Sequence, residues 1–233
     1  MTDAWTGTDV CAGNPSTTGT AVTVGGPDPY WTTWTFDANG NRKTQVKHAV
    51  ASQSGDTTTS YTYGQPSDPT KQPDTLTSTQ TTLPDTTISS ATYAYDASGN
   101  ATARSTTPGT DTLTWNDEGK LASLKSTSQT NSTTYTYTYD AESKQLLRTD
   151  PDGKTTLFLP GQELTYDPTG TGTTSGARYI SLPGGVTCTR TGAGSVYNFV
   201  ASNDQATGTA SLDSTAQTPT FRLFNPYGNP RGT

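Results

Sequence analysis

Histidine and cysteine are the side chains best suited to nucleophilic and metal chemistry, and this chain has few of them. Its 233 residues include one histidine, His48, and two cysteines, Cys11 and Cys188. A Ser-His-Asp or Cys-His site would have to use His48, which lies in the strand-like segment QVKHAV. We interpret His48 as structural or exposed to solvent, and we predict no metal site of the His/Cys type. The pair Cys11 and Cys188 is a candidate disulfide, and two free thiols are the alternative.

Carboxylates offer a second kind of chemistry, because many aspartates stand in turn sequences. These are Asp37, Asp96, Asp117, Asp140, Asp150, Asp152 and Asp167. The segment DPDGK (residues 150–154) resembles part of a calcium loop but lacks the ligand series and closing Glu of an EF-hand. Turn capping is therefore the favoured role for these aspartates. Glu163 is the glutamate to watch for hydrolytic chemistry, but no second carboxylate is singled out as its partner, so a structural role is favoured.

Aromatic residues alternate with other residues in several segments, which places each row of rings on one face of a strand. The rows are Trp31, Trp34 and Phe36; Tyr93 and Tyr95; and Tyr135, Tyr137 and Tyr139. Such a row could stack against sugar rings, or it could form the packed face of a sheet. We favour the packed face.

Composition excludes several classes of protein. The formal net charge is −6 and no cluster of Lys and Arg is present, so nucleic acid is not an expected partner. No apolar run approaches 18 residues, which predicts no membrane span. Only 28% of the residues are hydrophobic, but 12 Tyr, 4 Trp and a low charge content of 15% indicate β-sheet in place of disorder. No cofactor is predicted.

A unit of aromatic residue, aspartate and turn recurs along the chain. It is clearest in TYAYDASGN (residues 92–100) and TWTFDANGN (33–41), and looser in LTWNDEGK (113–120) and YTYTYDAESK (135–144). Each copy predicts a strand, a tight turn held by the Asp or Asn side chain, and a return strand. A spacing near 20 residues predicts hairpins that stack on their neighbours. The residues assigned to this repeat are Trp34, Phe36, Asp37, Gly40, Tyr93, Tyr95, Asp96, Gly99, Trp115, Asn116, Gly119, Tyr137, Tyr139 and Asp140.

These motifs, together with LFLPGQELTYD (residues 157–167), resemble the YD repeats of bacterial Rhs proteins, wall-associated proteins, toxin-complex C components and, more distantly, animal teneurins. The resemblance covers most of residues 25–232, and the C-terminal part is most similar to the end of an Rhs core. It implies an all-β fold in which stacked antiparallel β-hairpins form a curved sheet, a segment of a spiral shell. Family members usually carry an Asp-His pair where this chain has Asn203, Asp204 and Gln205.

The resemblance also implies an organisation in three parts. Residues 1–30 are a weakly patterned N-terminal segment, residues 31–155 are YD-repeat hairpins, and residues 156–233 are Rhs-core-like strands. Many members cut themselves after an aspartate-containing motif just beyond the shell. The chain stops at Thr233 before any such motif, so self-cleavage is assigned to no residue here. We expect this chain to be a piece of a longer protein.

The resulting prediction is a structural scaffold without enzymatic activity, in a secreted or cell-surface protein. Its partners would be the other repeats and a C-terminal effector, such as a toxin domain, that the shell encloses or displays. One alternative is a module that binds carbohydrate or a cell-surface protein through exposed aromatic rows. Another is a sheet that self-associates into homo-oligomers through its strand edges.

Overall fold

The computed structural model describes residues 1–7, 15, 24–26, 28–50, 55–67, 71–192 and 196–231, and this part of the chain is all β. It holds no helix, and therefore none with the length and apolarity needed to cross a bilayer. The strands are β1 (Asp3–Trp5), β2 (Trp31–Phe36), β3 (Arg42–Lys47), β4 (Thr57–Tyr63), β5 (Leu76–Thr82), β6 (Ile88–Tyr95), β7 (Ala101–Thr106), β8 (Gly109–Trp115), β9 (Leu121–Ser128), β10 (Ser132–Tyr139), β11 (Gln145–Thr149), β12 (Thr155–Leu159), β13 (Gln162–Asp167), β14 (Thr173–Leu182), β15 (Val186–Thr191), β16 (Tyr197–Ser202), β17 (Gly208–Asp213), β18 (Pro219–Phe221), β19 (Leu223–Phe224) and β20 (Pro230–Arg231).

Strands that follow one another in sequence pair with each other, except β18 and β19. Eighteen of them belong to one antiparallel sheet, and β19 pairs with β20 in a separate ribbon. The prediction of an all-β fold built from antiparallel hairpins is thus confirmed. Alternating Thr and Tyr residues account for it, because these side chains suit a pleated, half-buried surface.

The first of two compact units comprises Met1–Thr112 and Thr127–Asn131. Its most buried large side chain is Trp34, at 3% exposure, which lies opposite Gln45 on the neighbouring strand. The weakly patterned N-terminal segment contributes β1, whose Ala4 is buried opposite Thr32. Cys11 lies outside the described residues.

The second unit comprises Leu113–Ser126 and Ser132–Thr233. Among its described residues, Thr156 and Cys188 are the buried side chains, and most others are half-buried or exposed. Cys188 has no disulfide partner among the described residues, and its pairing with Cys11 stays a prediction. The three-part division at residues 30/31 and 155/156 also stays a prediction.

Candidate functional site

The recurring turn has a specific geometry, which the turn at Asp96 illustrates. The backbone N–H of Asp96 donates to the carbonyl of Asn100 at 2.9 Å, and Gly99 donates back to the Asp96 carbonyl at 3.1 Å. The Asp96 Oδ1 accepts the backbone N–H groups of Ser98 and Asn100, both at 2.9 Å. Gly99 has a φ of +86°, which glycine adopts at little cost. We call this five-residue arrangement, with its Asp or Asn at position 1, the Asx turn.

The Asx turn occurs six times in the described part of the chain. In each copy the position-1 Oδ1 accepts the N–H of position 3 at 2.9–3.1 Å and that of position 5 at 2.8–3.0 Å. The position-1 residues are Asp37, Asp96, Asn116, Asp140, Asn203 and Asn225. Sequence analysis assigned the first four to the repeat and missed Asn203 and Asn225. The segment NPYGN (residues 225–229) carried a usable signal, because it matches DASGN at positions 1, 4 and 5 once Asn replaces Asp.

Before several of these turns, the pairing of residues between the two strands shifts by one residue. Such a shift is a β-bulge. The shifts fall at Thr35/Phe36, Ala94/Tyr95, Thr138/Tyr139 and Ala201/Ser202, and a fifth falls at Thr62/Tyr63. In each case the extra residue belongs to the later strand, so two residues of that strand lie opposite the last residue of the earlier one.

Hydrogen bonding lowers the pKa of two turn aspartates, Asp96 and Asp37. The side-chain amide and backbone N–H of Asn100 hold the pKa of Asp96 below its ordinary value, against slight desolvation. At Asp37, desolvation raises the pKa, but hydrogen bonds from Asn41 and Asn39 outweigh it, so that pKa is also lowered. In both residues, donors of the turn bind both carboxylate oxygens. Among the described residues, no three His, Cys, Asp or Glu side chains cluster as a metal site would require.

Two further turns, outside these six, have part of this geometry. Asp150 makes the backbone bonds with Lys154 and Gly153, but its carboxylate binds Arg148 at 2.8 Å. Gly64 takes the position-1 place after β4, where its N–H donates to Thr75 across a longer loop. A Cβ atom on Gly64 would lie 2.0 Å from the Gln72 carbonyl oxygen, so the loop admits only glycine there.

The tyrosine before the turn ties its hairpin to the preceding strand. Tyr95 donates its hydroxyl to the Leu76 carbonyl at 2.8 Å, and Tyr139 donates to the Leu121 carbonyl at 3.0 Å. Burial raises the pKa of Tyr95, with a smaller contribution from Tyr93. The aromatic position therefore supplies both apolar area and a directed hydrogen bond.

The tyrosine rows are neither fully packed nor fully exposed, which were the two environments considered from sequence. Tyr93 and Tyr95 are half-buried, as are the three tyrosines of β10, whereas the threonines between those of β10 are exposed. The first row is different, because Trp34 is buried and Phe36 half-buried, and Trp31, three residues before Trp34 in β2, lies on the opposite face. A groove of about 390 Å³ lies in the second unit and is lined in part by Gln162 and Leu164. Another of about 320 Å³ lies beside Tyr93 and Tyr95 and is lined in part by Lys71 and Gln72.

His48 connects three segments of the first unit. Its Nδ1 lies 2.9 Å from the Asp56 carboxylate, its Nε2 lies 3.0 Å from the Thr33 hydroxyl, and its ring stacks on Trp31 at 3.7 Å. The order carboxylate, imidazole, hydroxyl is that of a hydrolase triad. Here the hydroxyl is a half-buried threonine in the middle of a paired strand, so the contacts fix the segments after β3 against β2.

Glu163 binds Tyr179 across neighbouring strands, with the hydroxyl 2.6 Å from Oε1. This hydrogen bond, followed by burial and the negative charge of Glu163, raises the pKa of Tyr179 to about 12. A tyrosine in this state is a poorer nucleophile than a free one, because its hydroxyl holds its proton more firmly. The pair therefore joins β13 to β14.

Comparison with known proteins finds similar folds but no similar sequences. No protein-family model and no curated protein matches the chain. Among solved structures, a Photorhabdus luminescens Tc holotoxin pore with the mutation TccC3-D651A matches at 17% identity and a TM-score of 0.53. The complexes TcdB2-TccC3-Cdc42 and TcdB2-TccC3 match at 15% and 14% identity, each with a TM-score of 0.53. Each match covers 86% of this chain but 12% of the other chain. These likenesses support the Rhs/YD-repeat fold, and at such identities they show the fold alone.

Proposed function

We propose that this chain is a non-enzymatic structural segment of a longer, secreted or cell-surface Rhs/YD-repeat protein. In this proposal its hairpins form part of a wall that encloses an attached effector. The observation that carries the proposal is the fold likeness, which covers most of this chain and a small part of much longer toxin-complex chains.

The burial pattern supports a wall in preference to a globular catalytic domain. Among the described residues, no side chain is less than 2% exposed, and exposed and half-buried residues alternate along strands such as β10. An active site needs groups held in place by a packed surrounding shell. A wall needs continuous strand pairing and rigid turns. The Asx turns supply the rigid turns.

Limited proteolysis of the natural polypeptide that carries this chain tests enclosure. We expect the segment after the repeats to resist trypsin under native conditions. Asp96→Ala and Asp140→Ala, which remove turn caps, should speed its digestion several-fold. Asp117→Ala is the matched control, because Asp117 is an exposed position-2 residue whose carboxylate accepts no turn N–H. Equal digestion rates in all four proteins would reject enclosure.

A second candidate function is carbohydrate binding, favoured by the groove beside Tyr93 and Tyr95. Its lining combines two rings with amide, ammonium and hydroxyl groups, which is the mixture that sugar sites use. A glycan-binding screen of the wild type and Tyr93→Ala tests it. Binding that Tyr93→Ala abolishes would support this candidate, and a screen without hits would leave the scaffold proposal alone.

A further inference from the structure

One asparagine of the first unit stands directly before a glycine. Asn39 and Gly40 form the single Asn-Gly step of the chain, and they fill positions 3 and 4 of the Asx turn that begins at Asp37. The Asx turn at Asp96 has the same sequence except at position 3, where Ser98 replaces the asparagine. The turn at Asp37 therefore carries a side-chain amide where the turn at Asp96 carries a hydroxyl.

An Asn-Gly step can lose ammonia without an enzyme, and asparagine is among the thermolabile residues of proteins. The backbone nitrogen of Gly40 gives up its proton to water and bonds to Cγ of Asn39. The Cγ–Nδ2 bond breaks, and the amide nitrogen takes up a proton and leaves as ammonia. Water then opens the resulting succinimide ring at either carbonyl, which leaves aspartate or isoaspartate at position 39. Glycine favours ring closure because it has no side chain to obstruct the approach.

The surroundings of the turn give this reaction room. Asn39 and Gly40 are exposed, and a Cβ atom on Gly40 would meet no atom of the described chain within 4 Å beyond its chain neighbours. Packing therefore does not hold the peptide between them in place. Its restraints are hydrogen bonds of the turn: the Gly40 N–H donates to the Asp37 carbonyl at 3.1 Å, and the Asn39 N–H donates to Asp37 Oδ1 at 2.9 Å.

The side chain of Asn39 is held by a carboxylate from a neighbouring loop. Its Nδ2 donates to Asp74 Oδ1 at 3.0 Å, and Nδ2 of Asn41 donates to the same oxygen at 2.8 Å. Asp74 lies near the end of the loop between β4 and β5, where its own N–H donates to the Gly64 carbonyl at 3.1 Å. Ring closure turns the Asn39 side chain toward its own backbone, so the contact with Asp74 opposes it.

We propose that Asn39 is a site of spontaneous deamidation and that Asp74 sets the rate by holding the side-chain amide. The product has a carboxylate where the amide donated, so two like charges face each other and the link from turn to loop is lost. Isoaspartate also lengthens the backbone inside the Asx turn. The turn at Asp37 thus carries a slow, irreversible change that loosens the loop between β4 and β5. This inference goes beyond the proposed function and does not depend on it.

Peptide mass spectrometry of the purified protein, sampled during incubation in mildly alkaline buffer, tests the site. We expect the mass gain of deamidation to appear at Asn39 before any other asparagine. Asn39→Ser reproduces the sequence of the turn at Asp96 and should lack this gain. An earlier gain at another asparagine, or no gain at Asn39 in the folded protein, would overturn the proposal.

Two substitutions of Asp74 test the restraint. Asp74→Gly removes the carboxylate and suits the φ of +61° at this position, so the loop should fold. It should speed deamidation about fivefold, as the loss of one hydrogen bond predicts. Asp74→Asn keeps an acceptor oxygen and also tolerates positive φ, so its rate should stay within about twofold of the wild type. Equal rates in the wild type and Asp74→Gly would overturn the role given to Asp74.

Trypsin cleavage after the exposed Lys71 measures the consequence for the loop. Asn39→Asp mimics the product, and Asn39→Ser is its matched control, because both lose the amide but only the first adds a carboxylate beside Asp74. We expect Asn39→Asp to be cut about threefold faster than Asn39→Ser at low salt, with a smaller difference at high salt. Melting curves followed by circular dichroism establish that both variants are folded. Equal cleavage of the two variants at low salt would overturn the predicted loosening.

Discussion

At the residue scale, the fourth position of the Asx turn decides how well each turn fits its backbone. It has positive φ in all six copies, and glycine fills it in four. Ser143 and Ala206, at +63° and +59°, are the exceptions. Side chains other than Gly, Asn and Asp adopt this region at a cost, so these two turns carry strain that the others do not.

Ala206→Gly and Ser143→Gly are therefore expected to stabilise the protein by about 0.5–1 kcal/mol each. Urea unfolding followed by circular dichroism measures the change. Ala141→Gly is the matched control: Ala141 lies at position 2 of the same turn as Ser143, without positive φ, and its replacement should give no gain. A gain at Ala141 equal to that at Ser143 would mean that strain at position 4 is not the cause.

The turn aspartates predict a loss of stability in acid. A carboxyl group whose folded pKa is lowered contributes stability above its unfolded pKa, near 3.8, and loses it as the pH falls through the folded value. The double variant Asp37→Asn/Asp96→Asn keeps the acceptor oxygens, as Asn116 does naturally, but cannot titrate. We expect its melting temperature to fall less than that of the wild type between pH 5 and pH 3. Parallel melting curves against pH would contradict this assignment.

At the scale of the element, a hairpin is joined to its neighbour by one tyrosine hydroxyl as well as by the ladder. Tyr95 and Tyr139 make this bond from the same place before the turn, although 44 residues separate them. The bulge at each site adds a residue to the strand after the turn, so each tyrosine keeps the alternation of its own strand.

Replacing Tyr95 or Tyr139 with Phe removes the hydroxyl and leaves the ring. We expect a loss of about 0.5–1.5 kcal/mol in the free energy of unfolding, because a half-buried carbonyl loses its donor. Tyr93→Phe is the control, since no hydrogen bond of the Tyr93 hydroxyl is found within the described part of the chain. If all three variants lose the same stability, the hydroxyl contacts are not what joins the hairpins.

At the scale of the whole molecule, contacts are local. Every strand-to-strand contact within the described units joins strands adjacent in sequence. Such a chain has the energetics of a repeat protein, in which stability is a sum of units and of their nearest-neighbour contacts.

This locality predicts that the two compact units respond separately to mutation. Trp5, Trp31 and Trp34 lie in the first unit and Trp115 in the second, so Trp115→Phe makes fluorescence report the first unit. Adding Asp140→Ala should lower the midpoint seen by circular dichroism. It should leave the fluorescence midpoint within about 2 °C. Equal shifts of both midpoints would show one cooperative unit.

The sequence by itself determined the fold class and the position of four Asx turns. Both follow from local rules: strand alternation has a period of two, and the turn cap joins position 1 to positions 3 and 5. Asn203 was missed because Ser202, which is not aromatic, precedes it. Asn225 was open to prediction, because Phe224 precedes it as Trp115 precedes Asn116.

Tertiary structure decided the features that depend on register between strands. The alignment of Arg178 with Arg190, the contact of Tyr179 with Glu163, and the meeting of His48 with Asp56 and Thr33 follow from loop lengths and bulges. A register change of one residue moves every side chain of a strand to the other face. No local pattern in the sequence fixes that register, so these contacts emerged only once the ladders were in place.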